Sequence, residues 1–261
     1  MSQRPALTNP RADRVRAVAA LAGRSARRRS GEFLVEGPQA VREAVRFADV
    51  RSLYLTDDAT SRYPEIHQEA LTKNIPLYPT SQQVAKAMSR DSQGVLAVAA
   101  VPTKPDLVAV TEGAQLAAVL VDARDPGNAG TVIRTADAAG ADVVVLAGAS
   151  VELYNPKVVR ATAGSLFHLP VVTGVSTESA VFALRSAGLT VYATAADATD
   201  DLTTVVSDRP TGWLFGNEAH GLSAEDLALA DKCIRIPIRG RAESLNLAAA
   251  VAVCLYAQVL R

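Results

Sequence analysis

The chain has 261 residues, 49% of them hydrophobic and 21% charged, a composition that suits one large or two ordinary soluble domains and excludes a disordered or fibrous chain. Its longest charge-free apolar run, LAAAVAVCLYA at 247–257, falls short of the roughly 18 to 20 residues that a membrane helix needs, and the N-terminus has charges but no apolar signal core, so a cytoplasmic protein without a membrane partner is expected. The formal net charge is +0, yet residues 1–51 hold 11 Arg against 5 acids, so a basic N-terminal part is offset by an acidic remainder.

Within the basic segment 1–30, Arg24, Arg27 and Arg28 fall at helical spacing on one face and Arg29 extends the cluster, which makes a phosphate-contacting surface; a solvated basic tail is the alternative. From Phe33 to Val101 short apolar stretches alternate with amphipathic ones: FLVEG, PQAVREAVRFA, VRSLYLT, a helix near Pro64 to Lys73, IPLYPT, SQQVAKAM and GVLAVAAV. That alternation predicts a small α/β domain over 31–101. PTKPD at 102–106 has two prolines and no apolar period, and opens a linker that extends to 114. The rest, 115–261, repeats the alternation with strands at 116–122, 142–148, 189–195, 212–216 and 233–238. These runs are apolar on both faces, as in a parallel sheet with helices on each side. Helices are predicted near 129–140, 156–163, 176–187, 223–230 and 242–260, with Asn155 as N-cap and Pro156 as first residue of the second.

A parallel α/β sheet binds ligands beyond the carboxyl ends of its strands, so chemistry is sought in the polar residues just after each strand. Three loops qualify. ARDPGNAGTVIRTAD places Asn128 at a helix start and Arg134 along the helix; GNEAHGL holds Asn217, Glu218 and His220 between Gly216 and Gly221; RGRAESLNLAAA carries Ser244 and Asn246. Each also has a purely structural use: Asn128, Ser244 or Asn246 as a helix cap, Glu218 as acceptor in its own turn, His220 as a turn residue. The first loop has only G-x-x-G, not the dinucleotide fingerprint, and the chain has no P-loop, H-E-x-x-H, C-x-x-C or G-x-S-x-G. Cys233 and Cys254, in apolar contexts, read as core residues, and no metal is expected.

Taken together, NAGTVIRTAD (128–137), LFGNEAHGL (214–222) and IPIRGRAESLNLAAAVAV (236–253) resemble the three ordered motifs of the SpoU/TrmH branch of the SPOUT methyltransferases. FLVEGPQAVREAV (33–45) is similar to the ribosomal-protein-like substrate-binding domain of members that modify ribosomal RNA. The resemblance implies a C-terminal trefoil knot, a homodimer with its active site near the subunit contact, and methyl transfer from S-adenosylmethionine to a ribose 2′-hydroxyl in large-subunit ribosomal RNA. A tRNA substrate, or a non-catalytic RNA-binding or ribosome-assembly protein on the same fold, is the alternative.

By the same resemblance the catalytic set is Arg134, Asn128, Glu218, Ser244 and Asn246. The cofactor pocket is Leu214, Phe215, Gly216, Asn217, Glu218, Gly221, Ile236, Pro237, Ile238, Ser244 and Leu245. RNA contacts fall to Arg24, Arg27, Arg28, Arg29 and Arg160, the last in NPKVVRATAGSLFHLPV (155–171). A guanidinium with a pKa above about 12 is a donor only, so Arg134 is expected to hold the target phosphate and to stabilise developing alkoxide charge.

Overall fold

The computed structural model describes residues 5–205 and 209–260; residues 1–4, where the basic segment begins, and 206–208 and 261 lie outside the described residues. The chain divides into two compact units, Met1–Thr103 with Leu153–His168, and Lys104–Glu152 with Leu169–Arg261.

The first unit holds β1 (Glu32–Glu36), β2 (Val50–Leu55), β3 (Leu77–Pro79) and β4 (Val95–Ala100) in the order β1-β4-β2-β3. β4 runs antiparallel to both β1 and β2, and β3 runs parallel to β2. The helix Asp13–Ala20 lies in the segment read as basic, but Val15, Val18 and Leu21 pack into a core with Leu34, Tyr54, Val84 and Leu96. From Asp13 onward this segment is therefore folded structure and not a solvated tail. Arg27 is buried because its Nη1 donates to the carbonyls of Leu21 (2.7 Å) and Ala22 (2.9 Å), which the preceding helix leaves without partners at its C-terminal end. Arg24, Arg28 and Arg29 remain exposed.

The second unit is built on β5 (Leu116–Val121), β6 (Val143–Ala147), β7 (Val171–Val175), β8 (Thr190–Thr194), β9 (Asp200–Asp201), β10 (Thr211–Phe215) and β11 (Lys232–Arg235). Their order is β7-β6-β5-β10-β8-β11-β9, and every pairing is parallel. Val119, Val121, Val143 and Val145 pack with Ala180, Val181 and Leu184 of the Thr177–Ser186 helix, while the alternate residues Ala118, Leu120, Val144 and Leu146 are also buried. A sheet covered on both faces needs this continuous apolar pattern, and it is why these strands are readable in the sequence.

The helix predicted from 129 starts earlier, at Pro126, because Asp125 caps it through Oδ1 and proline suits the first turn. The last helix, predicted from 242, starts at Leu247 and ends at Val259. Asn155 caps the Pro156–Ala161 helix as expected. Both cysteines are free, and burial pushes the Cys254 thiol up to about 12. No helix among the described residues is long and apolar enough to cross a membrane.

Candidate active site

The three polar loops meet at the carboxyl edge of the second unit's sheet, where β5 and β10 are neighbours. β10 delivers the segment 216–222, which folds back on itself: Asn217 N donates to Gly221 O (3.1 Å) and Gly221 N to Asn217 O (2.8 Å). Gly216 permits this approach, since a Cβ there would lie 2.1 Å from the Gly221 carbonyl carbon. Asn217 Nδ2 donates to Asp122 O at the end of β5 (2.7 Å), and Asn217 Oδ1 accepts from Ala219 N (2.8 Å).

One series of side-chain hydrogen bonds joins the loops. Asn246 Nδ2 donates to Asn128 Oδ1 (3.0 Å), and Asn128 Nδ2 donates to Glu218 Oε1 (2.8 Å). Asn246 also caps the C-terminal helix, its Oδ1 accepting from Ala248 N (2.9 Å) and Ala249 N (3.4 Å). The structural and functional uses of Asn246 thus coexist in one side chain. Asp125, not Asn128, caps the Pro126–Ala138 helix, its Oδ1 accepting from Asn128 N (2.7 Å), and so the Asn128 amide is free for the series.

A cavity of about 540 Å³ lies beside the 216–222 loop, within the size range of small-molecule sites. Its lining combines Ile236, Ile238, Leu245 and Phe215 with the acids Asp197, Glu218 and Glu243, and includes no Lys or Arg among the described residues. Ile238 and Leu245 are 38% and 40% exposed, large apolar groups open to solvent. Asn217, Glu218, Ala219, His220 and Gly221 line this cavity and also a second one of about 630 Å³ that includes Asp122, Arg124, Asn128 and Asp226. Among the described residues no group of three or more His, Cys, Asp or Glu could hold a metal ion.

The SpoU rRNA Methylase family model matches residues 115–256, the stretch that carries all three loops. The chain belongs to this family. A second model, the MRM3-like substrate binding domain, matches residues 12–97. Among curated SpoU relatives, the 23S rRNA (guanosine(2553)-2'-O)-methyltransferase RlmP of Bacillus subtilis is 35% identical, over 88% of this chain and 89% of that protein. The 23S rRNA (uridine(2479)-2'-O)-methyltransferase of Streptomyces viridochromogenes is also 35% identical, over 92% and 87%. Among solved structures, the AdoMet-bound rRNA methyltransferase from Sinorhizobium meliloti superposes with a TM-score of 0.84 at 30% identity and covers 97% of each chain.

Of the residues that the SpoU resemblance assigns to the cofactor, Phe215, Gly216, Asn217, Glu218, Gly221, Ile236, Ile238, Ser244 and Leu245 line the 540 Å³ cavity. Leu214 does not: strand alternation turns it into the buried core beside Val191 and Ala193. Pro237, between Ile236 and Ile238, lines neither cavity. The structure adds Thr194, the last residue of β8, and Ala195, Ala196 and Asp197 just after it. The carboxyl-end rule that selected the other loops covers this one as well, since β8 lies next to β10.

The Arg134 side chain is exposed, lines neither cavity and makes no hydrogen bond or ion pair among the described residues. Arg160 lies in the other unit, where its Nη1 bonds Glu36 Oε1 (2.8 Å) and Asp91, and these carboxylates raise its pKa. The Glu36 side chain is 4% exposed and its charge is compensated by Arg160, whose own side chain stays 40% exposed.

Proposed function

We propose that this protein transfers a methyl group from S-adenosylmethionine to a ribose 2′-hydroxyl of large-subunit ribosomal RNA. The observation that carries the reading is the Asn246–Asn128–Glu218 series, which ties three distant stretches together at the rim of an acidic and apolar cavity. Bound there, S-adenosylmethionine supplies an electrophilic methyl group on a sulfonium centre. The cavity's size, the bare backbone at Gly216, the apolar Ile236, Ile238 and Leu245, and the acids Asp197, Glu218 and Glu243 all fit a flat heterocycle joined to a tail with a sulfonium, an ammonium and a carboxylate, one positive charge in net. The relatives named above carry 23S rRNA or rRNA in their names, which favours ribosomal RNA over tRNA.

The chain's own residues align the hydroxyl and help its proton leave. Asn128 and Asn246 hold one oxygen of Glu218 in a fixed direction, and Ser244 faces the cavity from the opposite stretch. Arg134, free of any partner among the described residues, holds the phosphate next to the target ribose and neutralises developing alkoxide charge. Arg24, Arg28 and Arg29 take backbone phosphates.

The run 236–246 passes from β11 to a C-terminal helix that packs on the Pro126–Ala138 helix, a path compatible with the trefoil knot. That helix leaves Val253 41%, Val259 46% and Leu260 78% exposed, and a second copy of the chain covers them in a homodimer. The cytoplasm, where ribosomal RNA is found, is the site of action.

Alkaline hydrolysis tests the reaction class. RNA labelled by the enzyme should yield an alkali-resistant dinucleotide, because a methylated 2′-oxygen cannot attack the neighbouring phosphate. Label confined to alkali-sensitive mononucleotides would place the methyl on a base and overturn the reading.

A further inference from the structure

Asp122 follows directly on β5 with φ 52°, in the left-handed region that a residue carrying Cβ rarely adopts. Several contacts hold it there. Its N donates to Ala147 O (3.2 Å), its Oδ1 accepts from Ala149 N (2.6 Å), and its carbonyl accepts from Asn217 Nδ2 (2.7 Å). The carboxylate occupies the bare face of Gly148, itself at φ 63°, where a Cβ would fall 2.3 Å from Asp122 Oδ1. Strained backbone of this kind persists only where its surroundings over-determine it, and it gathers at functional sites.

Asp122 does not line the 540 Å³ cavity. The segment that its carbonyl holds does, and residues 217–221 also line the 630 Å³ cavity together with Asp122 itself, so they form a partition shared by the two. In the right-handed conformation the Asp122 carbonyl would turn away from Asn217, and the partition would lose its only tie to β5 among the described hydrogen bonds.

We propose that Asp122 is a positioning residue for the cofactor cavity: its carboxylate, locked against Gly148 and Ala149, holds its own peptide left-handed so that its carbonyl anchors Asn217 and with it the loop carrying Glu218. The inference rests on the reading that this cavity takes S-adenosylmethionine. Asp122 acts through Asn217, and the reacting groups are elsewhere.

Three variants separate this role from general stability. Asp122→Ala removes the side-chain acceptor and disfavours positive φ. Asp122→Asn keeps an acceptor and tolerates the left-handed region. Gly148→Ala displaces the carboxylate from the opposite side. Asp122→Ala should raise the dissociation constant for S-adenosylmethionine about tenfold, the loss of one well-placed hydrogen bond. Its KM for S-adenosylmethionine should rise in step while its KM for RNA is unchanged, and ligand-free amide exchange at 216–222 should quicken. Gly148→Ala should act in the same direction, and Asp122→Asn should stay within about twofold of wild type, since it keeps the acceptor.

A variant that is merely less stable loses active fraction and leaves the cofactor KM alone. Adding Asp122→Ala to Asn217→Ala should cost little more than Asn217→Ala alone, because both break one linkage. Wild-type affinity and exchange in Asp122→Ala, or equal damage from Asp122→Asn, would overturn the proposal. A wild-type protein that binds no S-adenosylmethionine would overturn the cofactor reading, and exchange at 216–222 in the same variants would still decide the role of Asp122.

Discussion

Replacing Gly216 with alanine puts a methyl group where there is no room for one. The added carbon would lie 2.1 Å from Gly221 C, 2.3 Å from Leu222 N and 2.4 Å from Gly221 O, all of them backbone atoms that no rotamer change can move. Gly216 is not among the positive-φ residues, so the constraint there is space and not conformation. Restoring ordinary contact at about 3.5 Å requires the two arms of the loop to part by more than about 1 Å. The Asn217–Gly221 pair, now at 3.1 and 2.8 Å, then breaks. Two hydrogen bonds at about 1 kcal/mol each give about 2 kcal/mol, or close to a thirtyfold loss of cofactor affinity. The strand itself ends at Phe215 and keeps its ladders to β5 and β8, so the protein should still fold, with a melting temperature lowered by about 4–8 °C. The single tryptophan supplies the assay: Trp213 is buried and stacks on Phe215 with ring centroids 6.3 Å apart, and Phe215 lines the cavity. Titrating its fluorescence with S-adenosylmethionine should give the weakened affinity in Gly216→Ala. Wild-type affinity with a native melt would refute the argument from close approach.

Asn246→Ala removes a helix cap worth about 1 kcal/mol and should lower the melting temperature by about 2–4 °C, measured by circular dichroism; an unchanged melt would show that the cap is redundant. Arg134→Lys keeps the charge but loses the planar fork, and methyl transfer should fall about a hundredfold with cofactor affinity retained; near-normal turnover would sink the role given to Arg134. Reversing Arg24, Arg28 and Arg29 to Glu should weaken RNA binding and flatten its salt dependence, with an unchanged slope counting against a phosphate contact. This triple change is cleaner than deleting residues 1–30, which would strip Val15, Val18 and Leu21 from a core. The hydrogen bond from Arg160 holds the Asp91 carboxyl below the usual carboxylate range, so its contribution is present above that range and is lost as acid protonates it. Asp91→Asn should therefore melt lower than wild type at neutral pH, and the gap should close as the pH falls through and below the usual carboxylate range; a constant gap would contradict the pairing.

Five strands of the parallel sheet were legible because burial on both faces leaves an apolar run, and each run is too short for an ordinary helix. β7 escaped notice because it is an edge strand with Thr173 and Gly174 on its less buried half. The loops of the site were legible from their position after strands, but the hydrogen-bonded series was not, since its partners are 90 and 118 residues apart. Helical spacing put Arg27 on a face with Arg24 and Arg28, yet spacing does not say which part of a face is packed, and Arg27 is spent on the carbonyls of the preceding helix. The ion pair of Arg160 was hidden for a related reason: its partner Glu36 is a buried acid 124 positions away, visible only once β1 and the Pro156–Ala161 helix are placed.

Transfer of labelled methyl from S-adenosylmethionine to ribosomal RNA taken from cells lacking this gene, with tRNA and Arg134→Ala enzyme run alongside, tests the central claim most directly. Label in the large-subunit RNA, absent from tRNA and lost with the variant, is the expected result. Protein that binds S-adenosylmethionine but labels neither the RNA nor the assembled large subunit would contradict it.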